Sequence, residues 1–174
     1  MRKFGVLFLA AITALALASC SSPAPEAKEK LPEKPSIETP VVDEADYSDG
    51  YGGYIFRVGG GTVWCTINVN PGFALCEHRD VDVTYAIPEA PASCEGAWGY
   101  QARLWAIQPS EGLPADWFCS SGLFSDPEDA YSLPSGSKIV VGDITCYAAE
   151  TIARCDNTND QYLVLGADIF GFKN

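Results

Sequence analysis

Short apolar runs, many with alternating polar positions, fill the chain from residue 50 onward. Such runs, bounded by glycine, proline, asparagine or aspartate, are typical of β-strands. The only helix candidate is a single turn at Asp126–Tyr131. The sequence therefore predicts an all-β fold, a small disulfide-stapled β-sandwich or barrel built from hairpins. The predicted strands are Tyr54–Val58, Thr62–Asn68, Gly72–Glu77, Val81–Tyr85, Gln101–Ile107, Asp116–Cys119, Lys138–Val141, Asp143–Tyr147, Ile152–Cys155, Tyr162–Leu165 and Asp168–Phe172.

The N-terminus has a different pattern, in which two basic residues precede the apolar run Phe4–Ala18. The run ends in Leu17-Ala18-Ser19-Cys20. A basic start, a short apolar run and small residues form a secretory signal peptide. A cysteine at the cleavage point is typical of lipoproteins, because its thiol receives the diacylglycerol. The run is also shorter than the roughly 20 residues that cross a bilayer. We predict a lipoprotein signal peptide over residues 1–19 and lipidation at Cys20.

Residues 20–49 are rich in proline, glutamate and lysine. Because few apolar groups could offset the entropy of ordering, we predict that this segment is a disordered stalk behind the lipidated cysteine. It would carry the all-β domain of residues 50–174 on the extracytoplasmic face of the cell membrane. Loss of the signal peptide leaves nine basic residues against 23 acidic ones, a net charge of −14. Such a charge repels nucleic acid, so we expect no nucleic-acid partner.

Six cysteines remain once Cys20 is assigned to the lipid. An even number in an exported chain indicates disulfides. Sequence alone leaves the pairing open, but the hairpin pattern favours Cys65 with Cys76 and Cys146 with Cys155. Cys94 would then pair with Cys119. We expect no metal and no cofactor, because a zinc site would need a C-x₂-C knuckle or more than one histidine.

Several motifs around the cysteines resemble those of a known family. Among them are Gly-Gly-x-Val-x-Cys65-x-Ile67, Cys94-x-x-x-Trp98-Gly99, Leu133-Pro134-x-Gly136 and Cys155-Asp156-Asn157. On these motifs the chain resembles small secreted proteins and lipoproteins of Actinobacteria, of mycobacterial and corynebacterial type, which share a six-cysteine β-domain. The resemblance covers most of the mature chain and implies a disulfide-rich domain. It brings no activity and no catalytic residues. The chain departs from the family near Glu150–Ala153, where a glycine is expected.

Candidate chemistry is sparse in this sequence. His78 is the only histidine, and its position between two charged residues at a strand end favours a solvated turn. With no G-x-S-x-G motif and the thiols assigned to disulfides, we expect no nucleophilic catalytic site. Exposed aromatic rings bind sugars and protein partners. The candidate binding aromatics are Trp64, Trp98, Trp105 and Trp117.

These observations lead us to expect a non-enzymatic binding or interaction domain at the cell envelope. Its partner would be an envelope protein or glycan, and its membrane contact would be the lipid anchor. The alternative is a cell-wall glycan hydrolase, which needs two carboxylates about 5–9 Å apart. The domain has enough acidic residues for such a pair to arise by chance, so composition alone does not favour the hydrolase.

Overall fold

The computed structural model describes residues 30–79, 83–85, 99–105, 115–120 and 122–174, without the side chains of 99–105, 118 and 120. Within these ranges eleven strands form two sheets. The strands are β1 (Gly53–Val58), β2 (Val63–Asn68), β3 (Phe73–His78), β4 (Gly99–Trp105), β5 (Asp116–Ser120), β6 (Tyr131–Ser132), β7 (Lys138–Val141), β8 (Ile144–Ala149), β9 (Ile152–Asn157), β10 (Tyr162–Leu165) and β11 (Phe170–Lys173).

The two sheets pack face to face around one apolar core. The first sheet has the order β5-β4-β3-β2-β1-β6, and the second has the order β11-β10-β9-β8-β7. Neighbouring strands are antiparallel, except that β6 runs parallel to β1. The core combines inward-facing residues of both sheets, such as Phe56 and Leu163. The prediction of an all-β fold is confirmed, in the form of a sandwich rather than a closed barrel.

Two stapled hairpins lie at the centre of the sandwich. In the hairpin of β2 and β3, Cys65 lies opposite Cys76, and in that of β8 and β9, Cys146 lies opposite Cys155. Each pair forms a disulfide, with Cα atoms 4.1 and 4.0 Å apart, respectively. Both predicted pairings are therefore confirmed. The Sγ atoms of Cys76 and Cys155 are 4.0 Å apart, so the two disulfides meet between the sheets.

Other predictions differ from the structure in detail. Cys119 is disulfide-bonded, whereas its expected partner Cys94 lies outside the described residues. The predicted helical turn at Asp126–Tyr131 is a pair of hydrogen-bonded turns that leads into β6. Of the predicted strand Val81–Tyr85, residues 83–85 are not in a strand, and residues 81 and 82 lie outside the described part.

Residues 30–42, which we call the strap, lie on the outer face and edge of the second sheet. The backbone of the strap pairs with β7, since Val42 donates its N–H to the carbonyl of Lys138 over 2.9 Å. The Lys138 N–H in turn donates to the Pro40 carbonyl over 2.8 Å. Near the start of the strap, the Leu31 side chain lies directly over Gly171 of β11.

A buried ion pair lies beneath the strap. Arg154 donates through Nε and Nη2 to the Asp156 carboxylate over 2.9 and 2.6 Å, and through Nη1 to the Pro32 carbonyl over 2.6 Å. Its guanidinium also lies 4.2 Å from the centre of the Tyr162 ring. Residues 30–49 are thus ordered on the domain, although the sequence predicts a stalk there. Residues 20–29 of the predicted stalk lie outside the described residues.

The disulfides bear on the compartment in which the protein works. Disulfides form and persist in oxidising surroundings and are rare in the cytosol. They indicate an extracytoplasmic protein, as the sequence predicts. In the part of the chain that the structure describes, no helix has both the length and the apolar character needed to cross a membrane.

Candidate functional site

The predicted binding tryptophans do not form a shared surface among the described residues. Trp64 is only 1% exposed. Trp117 is half-buried between the sheets, where its ring centre lies 5.3 Å from that of Phe170. Trp105 lies in β4, whose side chains are not described, and Trp98 lies outside the described residues. Trp64 and Trp117 therefore pack within the protein, and neither presents an open platform.

Trp64 is buried because a loop covers the outer face of β2 and β3. This cover loop, residues 122–130, is held by Glu77, which is itself 1% exposed. The Glu77 carboxylate accepts hydrogen bonds from the Trp64 indole over 3.1 Å and from the Phe124 N–H over 2.7 Å. It also accepts from the N–H and hydroxyl of Ser125 over 3.2 and 3.3 Å. A buried carboxylate satisfied by four donors thus fixes the loop.

His78 does not lie in a solvated turn, so that prediction is wrong. It is only 6% exposed, and its ring centre lies 5.8 Å from that of Tyr85 and 6.0 Å from that of Trp117. The cause is the two-residue period of a strand, which turns His78 to the same face as the inward-facing Cys76. The histidine belongs to an aromatic cluster at one end of the core.

An open groove of about 660 Å³ lies beside the cover loop on the outer face of the first sheet. Its floor is formed by Ile55 and Arg57, the outward-facing residues of β1. One wall comes from the chain between Tyr47 and Tyr51, and the opposite wall comes from residues 128–132. We call this site the tyrosine groove.

Three tyrosines line the tyrosine groove. The rings of Tyr47 and Tyr131 stand nearly at right angles, with centres 6.4 Å apart and an interplanar angle of 83°. Tyr51 is 96% exposed and Tyr131 is 58% exposed. Burial, followed by the nearby charge of Asp46, raises the pKa of Tyr47. Its hydroxyl therefore stays protonated at neutral pH and donates to the Ser132 carbonyl over 3.3 Å.

Local hydrogen bonds hold both walls of the groove. On one side, Asp49 accepts from the N–H groups of Tyr51 and Gly53 over 2.7 and 2.9 Å. On the other side, Asp126 accepts from the Glu128 N–H over 2.9 Å. Asx turns of this kind fix the backbone without help from the core. Ordered turns thus lie beside Tyr51 and just before Tyr131, the first residue of β6.

The groove carries more negative than positive charge. Its lining contains three carboxylates, from Asp49, Glu128 and Asp129, against the single guanidinium of Arg57. Sequence reasoning did not identify this site, because Tyr47 falls in the predicted stalk and the two walls are some 80 residues apart in the chain. A usable signal was the repeated pairing of tyrosine with aspartate or glutamate on both sides, at positions 46–51 and 128–131.

The described residues contain one group with the spacing of metal ligands, made of Cys65, Cys76 and Cys155. All three sulfurs belong to disulfides, which leaves no thiolate to bind a metal. Comparisons of the chain with protein-family models, with curated proteins and with solved structures found no match.

Proposed function

We propose that this protein is a lipoprotein anchored on the extracytoplasmic face of the cell membrane, and that its domain binds an envelope partner without catalysing a reaction. The observation that carries the proposal is the tyrosine groove. Tyrosine combines a large apolar ring with a polar tip and is enriched in binding sites. Tyr51 is held by an Asx turn and Tyr131 begins β6, and both are exposed, so little entropy is lost when a partner orders them.

The anchor rests on the sequence Leu17-Ala18-Ser19-Cys20 and on the compartment indicated by the disulfides. Two acyl chains on Cys20 would give stable attachment, whereas one gives only marginal binding. Intact mass of the protein extracted from its native membrane tests this point. We expect a diacylglyceryl adduct on a chain that begins at Cys20, and its loss in a Cys20→Ala variant. A chain without this adduct would contradict the proposed lipid anchor.

The buried carboxylates of the described residues support a non-enzymatic role over the hydrolase alternative. The Glu77 carboxylate already accepts hydrogen bonds from the cover loop, and the Asp156 carboxylate is paired with Arg154. A glycosidase needs one carboxyl group held as an acid beside the scissile bond, with a second one nearby. The groove carboxylates of Glu128 and Asp129 are instead exposed. We therefore expect no release of soluble fragments from labelled cell-wall glycan. Release that disappears in Glu128→Gln or Asp129→Asn would establish the hydrolase.

The binding proposal is tested with the oxidised protein and isolated envelope material, namely cell-wall glycan and solubilised envelope proteins in separate assays. We expect either the glycan or the envelope proteins to retain the native protein. The Tyr51→Ala/Tyr131→Ala double variant should lose most of this retention. Ile37→Ala is the matched control, because Ile37 is 96% exposed but lies on the strap. Equal retention of the groove variant and the control would exclude the groove as the binding site.

A further inference from the structure

We infer that the tyrosine groove recognises a substituted ammonium group, and this inference rests on the binding function proposed above. Aromatic rings attract cations through the negative potential of their faces, and a ring within about 6 Å of the cation contributes. Tyr47, Tyr51 and Tyr131 all line the same open space. Among the described residues, these three are the aromatic residues of the groove lining.

The arrangement of the rings favours a compact cation over a flat ligand. Tyr47 and Tyr131 meet at 83°, so together they form a corner rather than a parallel slot. Tyr47 is only 6% exposed and forms the base of the corner, so Tyr131, which is 58% exposed, offers most of the ring surface to a tetrahedral group such as an alkylated nitrogen. A sugar ring or a base would instead stack on one flat face. The Tyr47 ring is held by burial and by its hydroxyl, which donates to the Ser132 carbonyl, so the base of the corner is in place without a ligand.

The charges of the groove lining have the sign that such a cation requires. Asp49, Glu128 and Asp129 provide three carboxylates within the same lining as the rings. The whole mature chain carries a net charge of −14, which raises the local concentration of cationic partners at the surface. Among the described lining residues, Arg57 carries the opposing charge. Because it lies on the groove floor, replacing it tests how much electrostatic attraction contributes to cation binding.

Two sources could supply the ammonium group, namely a lysine side chain of an envelope protein and a quaternary ammonium of choline type. The experiment separates them by titrating the oxidised full mature chain with Nα-acetyl-lysine amide and with choline. Dimethylbutanol, the neutral carbon isostere of choline, serves as the matched control ligand. Chemical shifts of the groove residues give the dissociation constants.

We expect one or both cations to bind and dimethylbutanol to bind at least about threefold more weakly. Tyr51→Leu and Tyr131→Leu should each weaken cation binding by about threefold to tenfold, and Tyr131→Phe, which keeps the ring, should weaken it less than Tyr131→Leu does. Glu128→Gln should weaken binding, and Arg57→Gln should tighten it. Tyr51 is almost fully exposed, so the Tyr51→Leu variant should fold normally, and its melting temperature checks this.

Equal affinity for choline and dimethylbutanol would overturn the inference, as would tighter binding of a neutral chitooligosaccharide than of either cation. An unchanged affinity in Arg57→Gln would remove its electrostatic basis. These failures are distinguishable from a failure of the proposed function. If envelope binding depends on Tyr51 and Tyr131 but neither cation competes with it, the groove binds a partner of another class.

Discussion

Glu77 shows how a single side chain determines which surface of this domain is available for binding. A carboxylate on the outer face of a strand would ordinarily be solvated. Here it accepts four hydrogen bonds, three of them from Phe124 and Ser125 of the cover loop. The same loop continues into residues 128–132, which form one wall of the tyrosine groove. By holding the cover loop, Glu77 therefore both buries Trp64 and positions one wall of the tyrosine groove.

Replacing Glu77 with glutamine should destabilise the protein. The amide retains one acceptor oxygen, but its NH₂ group would face the donors that now share the second oxygen. We expect the free energy of unfolding to fall by about 2 kcal/mol. Urea denaturation followed by tryptophan fluorescence measures the change. Glu38→Gln, at an exposed position of the strap, is the matched control and should alter stability little. Equal midpoints for the two variants would show that Glu77 does not hold the loop.

Asp160 provides a pH-dependent contribution at the surface. The hydrogen bond from Lys173, together with the charge of Lys173, lowers the pKa of Asp160 below its ordinary value of 3.8. A carboxyl group with a lower pKa in the folded state stabilises the protein above its unfolded-state pKa and loses that contribution as the pH falls through its folded-state pKa. Asp160→Asn should therefore be slightly less stable than the native chain at neutral pH. The difference should shrink as the pH falls below 3.8 and through the folded-state pKa, as measured by melting temperature against pH. A difference that grew on acidification would contradict this account.

The sequence could not reveal the role of Glu77 for a physical reason. A strand pattern tells which side chains share a face, but not what covers that face. The partners of Glu77 in the cover loop lie 47 and 48 residues away in the chain. The same limit applies to Trp64, which does point away from the core side of Cys65 and yet is buried under the loop.

At the scale of elements, the two stapled hairpins are the part of the fold that sequence reasoning predicted well. Their strands are short runs rich in apolar residues, and the cysteine separations of 11 and 9 residues suit opposite positions in short hairpins. These are local signals. The strap is the reverse case, since its proline-rich composition indicates disorder. Its bonds to Lys138 and Arg154 join residues that are far apart in the chain, with separations of 102 for Ser36 and Lys138 and 122 for Pro32 and Arg154.

Removal of the Cys65–Cys76 disulfide measures its contribution to the free energy of unfolding. The Cys65→Ala/Cys76→Ala variant should lose about 2.5–3 kcal/mol of stability, the value expected from the entropy of a loop of this length. Both cysteines are replaced, because a single free Cys76 thiol would lie 4.0 Å from Cys155 and could exchange with the other disulfide. Denaturant unfolding gives the value, and Cys146→Ala/Cys155→Ala provides the comparison. Loss of less than about 1 kcal/mol in both would show that packing alone holds the hairpins.

At the scale of the whole molecule, the ordered strap shortens the link between domain and membrane. If Cys20 carries the lipid, only residues 20–29 separate it from the first described residue, Lys30. Ten residues reach at most about 35 Å when fully extended, whereas the predicted 30-residue stalk would reach about 100 Å. The start of the strap on the second sheet would then have to lie within that distance of the membrane surface.

Neutron reflectivity of the lipidated protein on a supported bilayer tests this geometry. We expect the near edge of the domain density within about 35 Å of the lipid headgroups. Insertion of twenty glycine and serine residues after residue 29 is the matched control and should broaden the density and move it outward. If the near edge of the native domain lies well beyond about 35 Å from the headgroups, the strap detaches from the second sheet.

The course of the strap also determines how the molecule responds to force. Residues 30–42 lie on the second sheet, and the same stretch of chain continues through residues 47–51 into the wall of the tyrosine groove. Tension between a partner in the groove and a lipid at Cys20 would pass along this one segment, and the core would carry little of it. The bond from Arg154 to the Pro32 carbonyl would yield first, and the bonds that join Pro40 and Val42 to Lys138 would yield last. The strap would thus detach under load and lengthen the tether, while the disulfide-linked sandwich stays folded.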